Sequence, residues 1–283
     1  DVKSMLASPS YLRSLEKKLQ GEFGIGHGEI DLLVGGPPCQ GFSGIGHRRS
    51  YSVDKEQLPS NHLFQDMAAI IHRLKPRAFL FENVRGLLTA KWNDGGEKGD
   101  VWRQVRDTFK AIPEYRVAFR LVYAKDYGVP QNRPRVLLVG IHKDVKSSLI
   151  RDVESDDAIE RGFLPKPDSK KWKAPDPIEL LGDLVDDGYQ NGGSTDFYPH
   201  PARHSIQKWL RTPHEGSAPL KKGEPVTEHD YSKHQPRIRE KFQAMIDSGG
   251  LAPEVFRTKK FAQRVLPERW GEDGPTITAT SLP

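Results

Sequence analysis

Short apolar runs alternate with helical patterns over the first 140 residues, and this alternation is the strongest constraint on the fold. The apolar run at 31–34 ends in glycines, as a buried strand does where it enters a loop. Apolar residues recur at helical spacing over 63–74, and Pro76 closes that pattern. The other predicted elements are a strand at 78–81, a helix at 101–111 and strands at 115–123 and 136–141. This order predicts an α/β fold with a largely parallel sheet.

The chain changes in character after residue 142. Pro, Gly, Asp and Lys become frequent and the apolar runs become short. One helix is predicted from about 236 to 246, where Gly249 and Gly250 stop it. These features predict a second, loop-rich domain.

The bulk composition excludes several classes of protein. The sequence has no run of roughly 18 apolar residues that could span a membrane, and it does not start with a signal-peptide pattern. A single cysteine cannot form an internal disulfide or a cysteine-rich zinc site. Five of the ten histidines lie in the loop-rich region, at 200, 204, 214, 229 and 234; their spacing is irregular and no cysteine joins them, so no metal is expected. We therefore expect a cytoplasmic protein in which Cys39 is a free thiol.

Charge is distributed unevenly along the chain, whose net charge is +5. Residues 203–260 contain 12 Lys and Arg against 7 Asp and Glu, whereas residues 144–187 contain 7 against 12. A basic segment of this kind favours contact with a polyanion, although such runs are also common on ordinary solvated surfaces.

Cys39 lies in a loop that is unusual for a structural cysteine. Two prolines precede it and stiffen the backbone, and the surrounding glycines allow a sharp turn or a close approach to a ligand. A thiolate is a strong nucleophile, so this setting favours catalysis over burial in a core. A generic thiol enzyme would also need a nearby histidine, for which His47 is the only close candidate.

Two further groups could act on a substrate. Glu82 follows an apolar strand, so it could hold or deliver a proton, or it could simply cap the following turn. Period-two alternation in a strand starting at Gln131 would place Gln131, Arg133 and Arg135 on one face. Such a donor array suits oxygen acceptors, and an edge strand with solvated arginines is the alternative. In α/β sheets functional groups gather at the carboxyl ends of strands, where Cys39 and Glu82 both lie.

These motifs occur in an order that matches a known family. They are Gly-Gly-Pro-Pro-Cys-Gln-Gly-Phe-Ser at 35–43, Glu-Asn-Val at 82–84 and Gln-x-Arg-x-Arg at 131–135. Supporting segments lie at 61–64, at 127–130 and at Arg264 followed by 275–279. Together they resemble the signature of the DNA cytosine-5 methyltransferases of the bacterial restriction–modification type. The resemblance covers 1–142 almost continuously and 234–281 more loosely.

The resemblance implies a fold and a reaction. It implies a Rossmann-like S-adenosylmethionine-dependent methyltransferase domain at 1–142, incomplete at both ends, a smaller loop-rich target-recognition domain at 143–262 and a return segment at 263–283. The implied reaction moves a methyl group from S-adenosylmethionine to carbon 5 of a cytosine flipped out of double-stranded DNA. Within the recognition domain, the basic stretch of 203–260 would face the DNA and the acidic stretch of 144–187 would face away from it.

The resemblance also assigns roles to individual residues. Cys39 would attack carbon 6 of the base and Glu82 would act at ring nitrogen 3. Arg135 would donate to the base carbonyl oxygen, and Arg133 would orient the cysteine loop and the base. The supporting residues would be Asn83, which positions the loop, and Gln131.

Donor and DNA contacts follow in the same way. The residues matched to the methyl-donor pocket are Asp1, Val2, Gly36, Pro38 and Leu63. The residues after the cysteine resemble a mobile loop that closes over DNA, and its expected DNA contacts are Gln40, Ser43, Arg48 and Arg49.

The sequence departs from the family pattern at both ends, where the opening Phe-x-Gly-x-Gly segment and the closing segment are missing. We expect a cropped longer chain, with a split enzyme or a degenerate protein as the alternatives. The expected enzyme is monomeric, acts on DNA in the bacterial cytoplasm near the nucleoid, and has a cognate restriction endonuclease that works separately. An RNA cytosine methyltransferase and a non-catalytic DNA-binding relative are the rival interpretations.

Overall fold

The structure is a computed structural model, and it describes residues 9–38, 58–93, 95–250 and 252–257. The chain forms two compact units. The first contains Asp1–Val122 and Pro134–Lys166, and the second contains Tyr123–Arg133 and Pro167–Pro283. The domain boundaries expected at residues 142 and 262 stay predictions.

The first unit is an α/β layer, as the strand–helix alternation predicted. Its helices are α1 (Pro9–Phe23), α2 (Leu63–Leu74) and α3 (Asp100–Lys110). Its strands are β1 (Leu32–Gly35), β2 (Ala78–Val84), β3 (Tyr115–Tyr123) and β4 (Pro134–His142), with β3 ending at the junction between the units. All of these elements except α1 were predicted, with end points that differ by at most a few residues.

The four described strands form one mixed sheet in the order β1-β2-β4-β3. β1 pairs with β2 in parallel, whereas β4 runs antiparallel to β2. Among the described strands, the expectation of a largely parallel sheet was therefore wrong. The physical reason lies in the connection between β3 and β4, because residues 124–133 contain only one 3-10 turn. Parallel neighbours need a crossover connection of about a dozen or more residues, usually a helix.

One face of this sheet carries the hydrophobic core. Exposure alternates along β2, so that Phe79 and Phe81 are fully buried while their neighbours are half-buried. The apolar stripes of α2 and α3 cover that face, with Ile71 and Phe109 fully buried. Burying each such side chain contributes about 1.5–3 kcal/mol. Asn83 continues the same buried face at the end of β2, so the core also holds a polar residue beside the loop that leads to Cys39.

The second unit is irregular, as its composition predicted. Its described helices are α4 (Pro177–Leu181), α5 (Ser205–Leu210) and α6 (Pro236–Asp247), and the last of these was predicted. A buried ion pair helps to hold the unit together: Arg211 donates to Oδ2 of Asp183 from Nε at 2.8 Å and from a terminal nitrogen at 2.5 Å. The Arg211 guanidinium also lies 3.8 Å from the centre of the Tyr198 ring. No helix in the described part of the chain is long and apolar enough to cross a membrane.

Candidate active site

The candidate site begins where β1 and β2 end side by side. The two strands are parallel, and Gly35 pairs in register with Phe81. The next residues, Gly36 on one strand and Glu82 on the other, therefore emerge at the same edge of the sheet. Ligands of open α/β sheets bind at such carboxyl ends.

Two glycines make room for this arrangement. A Cβ built on Gly35 would lie 2.6 Å from Sδ of Met67, a core residue of α2. A Cβ built on Gly36 would lie 3.1 Å from Oε2 of Glu82. The first glycine thus lets the strand end pack on α2, and the second lets the Glu82 carboxylate lie against the backbone of the loop that leads to Cys39.

Asn83 ties that loop to β2. Its side-chain nitrogen donates to the carbonyl oxygen of Pro37 at 3.2 Å, and its side-chain oxygen accepts the Val84 N–H at 2.8 Å. The residue is only 3% exposed, so both contacts are well shielded from water. This is a contact suited to positioning the cysteine loop, while the functional role assigned to Asn83 stays a prediction.

Glu82 and Arg135 form an ion pair across neighbouring strands. Arg135 lies opposite Val84 in the antiparallel register of β2 and β4, which puts its side chain diagonally beside Glu82. Arg135 Nε lies 2.5 Å from Glu82 Oε1, and one of its terminal nitrogens donates to the Pro134 carbonyl at 2.8 Å. The Glu82 side chain is 39% exposed and that of Arg135 is 17% exposed. The pair therefore presents a carboxylate and guanidinium donors together at the edge of the sheet, reachable by a ligand.

Gln131 and Arg133 lie in the second unit, in the loop before β4. The strand starts at Pro134, so the alternation that predicted one face for Gln131, Arg133 and Arg135 does not extend to the first two. Instead, the Gln131 N–H donates to the Val129 carbonyl at 2.7 Å and the Arg133 N–H donates to the Gln131 carbonyl at 2.9 Å. Such short-range bonds mark tight turns. The Arg133 side chain is exposed.

The residues predicted to line the donor pocket are only partly described. Gly36 and Pro38 are exposed at the end of β1, and Leu63 is half-buried as the first residue of α2. His62, directly before Leu63, stacks on Trp92 with ring centres 5.1 Å apart. Seven predicted site residues lie outside the described residues. They are Cys39, Gln40, Ser43, Arg48, Arg49, Asp1 and Val2.

Comparison with known proteins decides the family of this chain. A family model of C-5 cytosine-specific DNA methylases matches residues 13–259. The chain belongs to that family. The candidate site, which contains Gly36, Glu82, Asn83 and Arg135, lies within the residues that the family model matches.

Curated proteins similar to this methylase include bacterial Type II methyltransferases. The chain is 40% identical over 123 residues to the Type II methyltransferase M.Bpa9945I of Bacillus paralicheniformis, covering 40% of this chain and 26% of the relative. It is 28% identical over 226 residues to the Type II methyltransferase M.DdeI of Desulfomicrobium norvegicum, covering 80% of this chain and 47% of the relative. The chain thus spans less than half the length of these two relatives.

A solved structure of Spodoptera frugiperda DNMT2 is also similar to this methylase. It is 16% identical with a TM-score of 0.37, and the match covers 89% of this chain and 72% of that chain.

Among the described residues, no group of three or more His, Cys, Asp or Glu side chains is arranged to hold a metal ion.

Two packing contacts of predicted site segments were not predicted from the sequence. Met67 underlies Gly35, and Trp172 packs on the loop that carries Arg133. Neither contact is local in the sequence, and only the tertiary structure reveals it.

Proposed function

We propose that this methylase transfers a methyl group from S-adenosylmethionine to carbon 5 of a cytosine flipped out of double-stranded DNA. The observation that carries the proposal is the Glu82–Arg135 pair, which lies beside Gly36 at the end of β1, three residues before Cys39. Acid, donor and nucleophile are the three groups that an attack on a cytosine ring requires. Family membership supports the same reaction.

The chemistry assigns one task to each group. The Cys39 thiolate attacks carbon 6 of the ring, which makes carbon 5 nucleophilic. Once carbon 5 carries the methyl group, its proton leaves and the Cys39–carbon 6 bond breaks, which restores the base and the free thiolate. Glu82 engages ring nitrogen 3, where charge develops during the attack, and Arg135 donates to the neighbouring carbonyl oxygen. Because the two side chains already form a pair, their carboxylate and guanidinium are placed side by side before the base arrives, which reduces the ordering required on binding.

Asn83 and Arg133 complete the proposed set. Asn83 holds the Pro37 carbonyl, and through it the loop that carries the nucleophile. Arg133 orients that loop and the base. Flipping the base costs a few kcal/mol of stacking and pairing, which contacts with DNA must offset.

The residues present fit part of a methyl-donor site. Gly36 and Pro38 form an exposed edge with little side-chain bulk at the carboxyl end of β1, and Leu63 adds an apolar surface on α2. These residues would hold S-adenosylmethionine, which supplies an electrophilic methyl group when bound. Asp1 and Val2 are proposed to join them.

The proposed partner is double-stranded DNA, which Gln40, Ser43, Arg48 and Arg49 would contact. Residues 1–142 would be the catalytic domain, 143–262 the recognition domain and 263–283 the return segment. We further propose that the enzyme works as a monomer on bacterial DNA in the cytoplasm, beside the nucleoid, with a cognate restriction endonuclease acting separately. The relatives' Type II designation supports the assignment to a restriction–modification system.

A covalent trap tests the proposal. Full-length protein is incubated with S-adenosylmethionine and a DNA duplex that carries 5-fluorocytosine at the target position, and adducts are separated by denaturing electrophoresis. We expect an adduct with the wild type and none with Cys39→Ser. An adduct that survives Cys39→Ser would refute the assigned nucleophile, and adduct formation only with an RNA substrate would refute the assigned partner.

A further inference from the structure

The loop that leads to Arg133 is closed by its own hydrogen bonds. The Ala124 N–H donates to the Arg133 carbonyl at 3.1 Å, and the Val129 N–H donates to the Ala124 carbonyl at 3.2 Å. Gly128 lies between them at a φ of +84°, a conformation that favours glycine. Ala124 is thus bonded both to Arg133 at the end of the loop and to Val129 near its tip, which links the tip to Arg133 through two hydrogen bonds.

Trp172 packs on the tip of this loop. Its ring centre lies 5.4 Å from that of Tyr127, with the two planes inclined by 35°. A Cβ built on Gly128 would lie 3.7 Å from both Cα and Cβ of Trp172, which is van der Waals contact, so the loop backbone at Gly128 lies directly beside the tryptophan. Side chain and backbone of the loop tip therefore rest on the same residue.

Trp172 is itself held in place by the segment around it. Its N–H donates to the Asp168 carbonyl at 2.7 Å, and the Lys171 ammonium lies 4.9 Å from the centre of its ring. Four residues later a capping box starts α4, in which the Asp176 N–H donates to Glu179 at 2.9 Å. A turn on one side and a capped helix on the other thus fix the tryptophan.

We propose that Trp172 is a positioning residue for Arg133, which it serves by fixing the tip of the 124–133 loop. The inference rests on the proposed function, in which Arg133 orients the cysteine loop and the base. Placement matters in such sites, because a misplacement of about 1 Å can cost on the order of 100-fold in rate.

Trp172 belongs to the segment predicted to recognise the target sequence, whereas the loop it holds carries a residue of the proposed base pocket. On this proposal, one residue of that segment affects the rate of the chemical step through its effect on Arg133.

The test uses Trp172→Ala and Trp172→Phe in the full-length enzyme, with the single-turnover methylation rate and the Kd for duplex DNA as the two readouts. We expect Trp172→Ala to lower the rate by about tenfold or more while Kd changes by less than about threefold. Trp172→Phe keeps an aromatic ring against Tyr127 and should stay within about threefold of the wild-type rate. Leu149→Ala, at an exposed site in the first unit, is the matched control and should leave both readouts unchanged.

An Arg133→Ala background separates positioning from general damage. If Trp172 acts through Arg133, adding Trp172→Ala to Arg133→Ala lowers the rate no further. A fully additive loss, a wild-type rate in Trp172→Ala or an effect on Kd alone would each overturn the inference. If thermal unfolding shows that Trp172→Ala does not fold, Tyr127→Leu replaces it with the same expectations. A wild-type enzyme that neither methylates DNA nor forms the 5-fluorocytosine adduct would instead refute the proposed function.

Discussion

Gly35 and Gly36, at the end of β1, should respond differently to replacement by alanine: the first variant should lose stability and the second should lose activity. At Gly35 the new methyl carbon would lie 2.6 Å from Sδ of Met67, which is 6% exposed in the core. Overpacking of this kind lowers the free energy of unfolding by about 1–3 kcal/mol, and the smaller conformational entropy of the unfolded chain offsets about 0.4–1 kcal/mol of that loss. We therefore expect Gly35→Ala to lower the free energy of unfolding by about 1–2 kcal/mol.

Gly36→Ala should instead leave stability nearly unchanged and impair catalysis. There the new carbon would meet Oε2 of Glu82 at 3.1 Å, and that side chain is 39% exposed and can move. Stability should change by less than about 0.5 kcal/mol, as at an ordinary surface position. The displaced carboxylate, however, should lower the methylation rate by about tenfold or more.

Urea unfolding compares the stability of the two full-length variants, and single-turnover kinetics compare their methylation rates. The Gly35→Ala defect should also be smaller in a Met67→Ala background, because the clash is then gone. Equal losses of stability in both variants would refute the reasoning, as would a Gly36→Ala enzyme that methylates DNA at the wild-type rate.

Three further predictions follow from the described contacts. Partial burial raises the pKa of Asp157, but the Ile159 N–H and the Arg120 guanidinium outweigh it and hold the pKa below its ordinary value of 3.8. Asp157 therefore stabilises the fold above about pH 4, and this contribution is lost as the pH falls through its folded pKa. Urea unfolding midpoints, measured between about pH 3 and pH 7, should fall less on the acid side in Asp157→Asn than in the wild type. Asn83→Ala should reduce the yield of 5-fluorocytosine adduct, because the carbonyl that leads to the cysteine loop loses its donor; an unchanged yield would contradict that role. Arg211→Met leaves a buried carboxylate without its partner and should cost about 3–5 kcal/mol by chemical denaturation, and a loss below about 1 kcal/mol would show that the ion pair is dispensable.

Local patterns in the sequence were sufficient to predict most of the first unit. The 63–74 segment forms the helix that its apolar spacing predicted. The helix ends at Leu74, because Lys75 has a φ of 47° and Pro76 follows it. β3 occupies the residues predicted for it, 115–123. These elements depend on neighbours a few residues away, which a single sequence displays directly.

Contacts between distant segments could not be predicted in the same way. The pairing of Glu82 with Arg135 depends on the antiparallel register of β2 and β4, and strand order is a property of the assembled sheet. The turn that ends at Arg133 breaks the alternation that a strand would have imposed. The sequence motifs thus predicted Glu82 and Arg135 as candidate groups of the site, whereas their pairing is visible only in the fold.

The most direct test of the central claim is the identity of the methylated nucleoside. Duplex DNA from an unmethylated host is incubated with the full-length enzyme and isotopically labelled S-adenosylmethionine, digested to nucleosides and analysed by mass spectrometry. A cytosine pocket built on Cys39, Glu82 and Arg135 predicts labelled 5-methyldeoxycytidine, and none with Cys39→Ser. Label on the exocyclic nitrogen of cytosine, on adenine or only on RNA would contradict it.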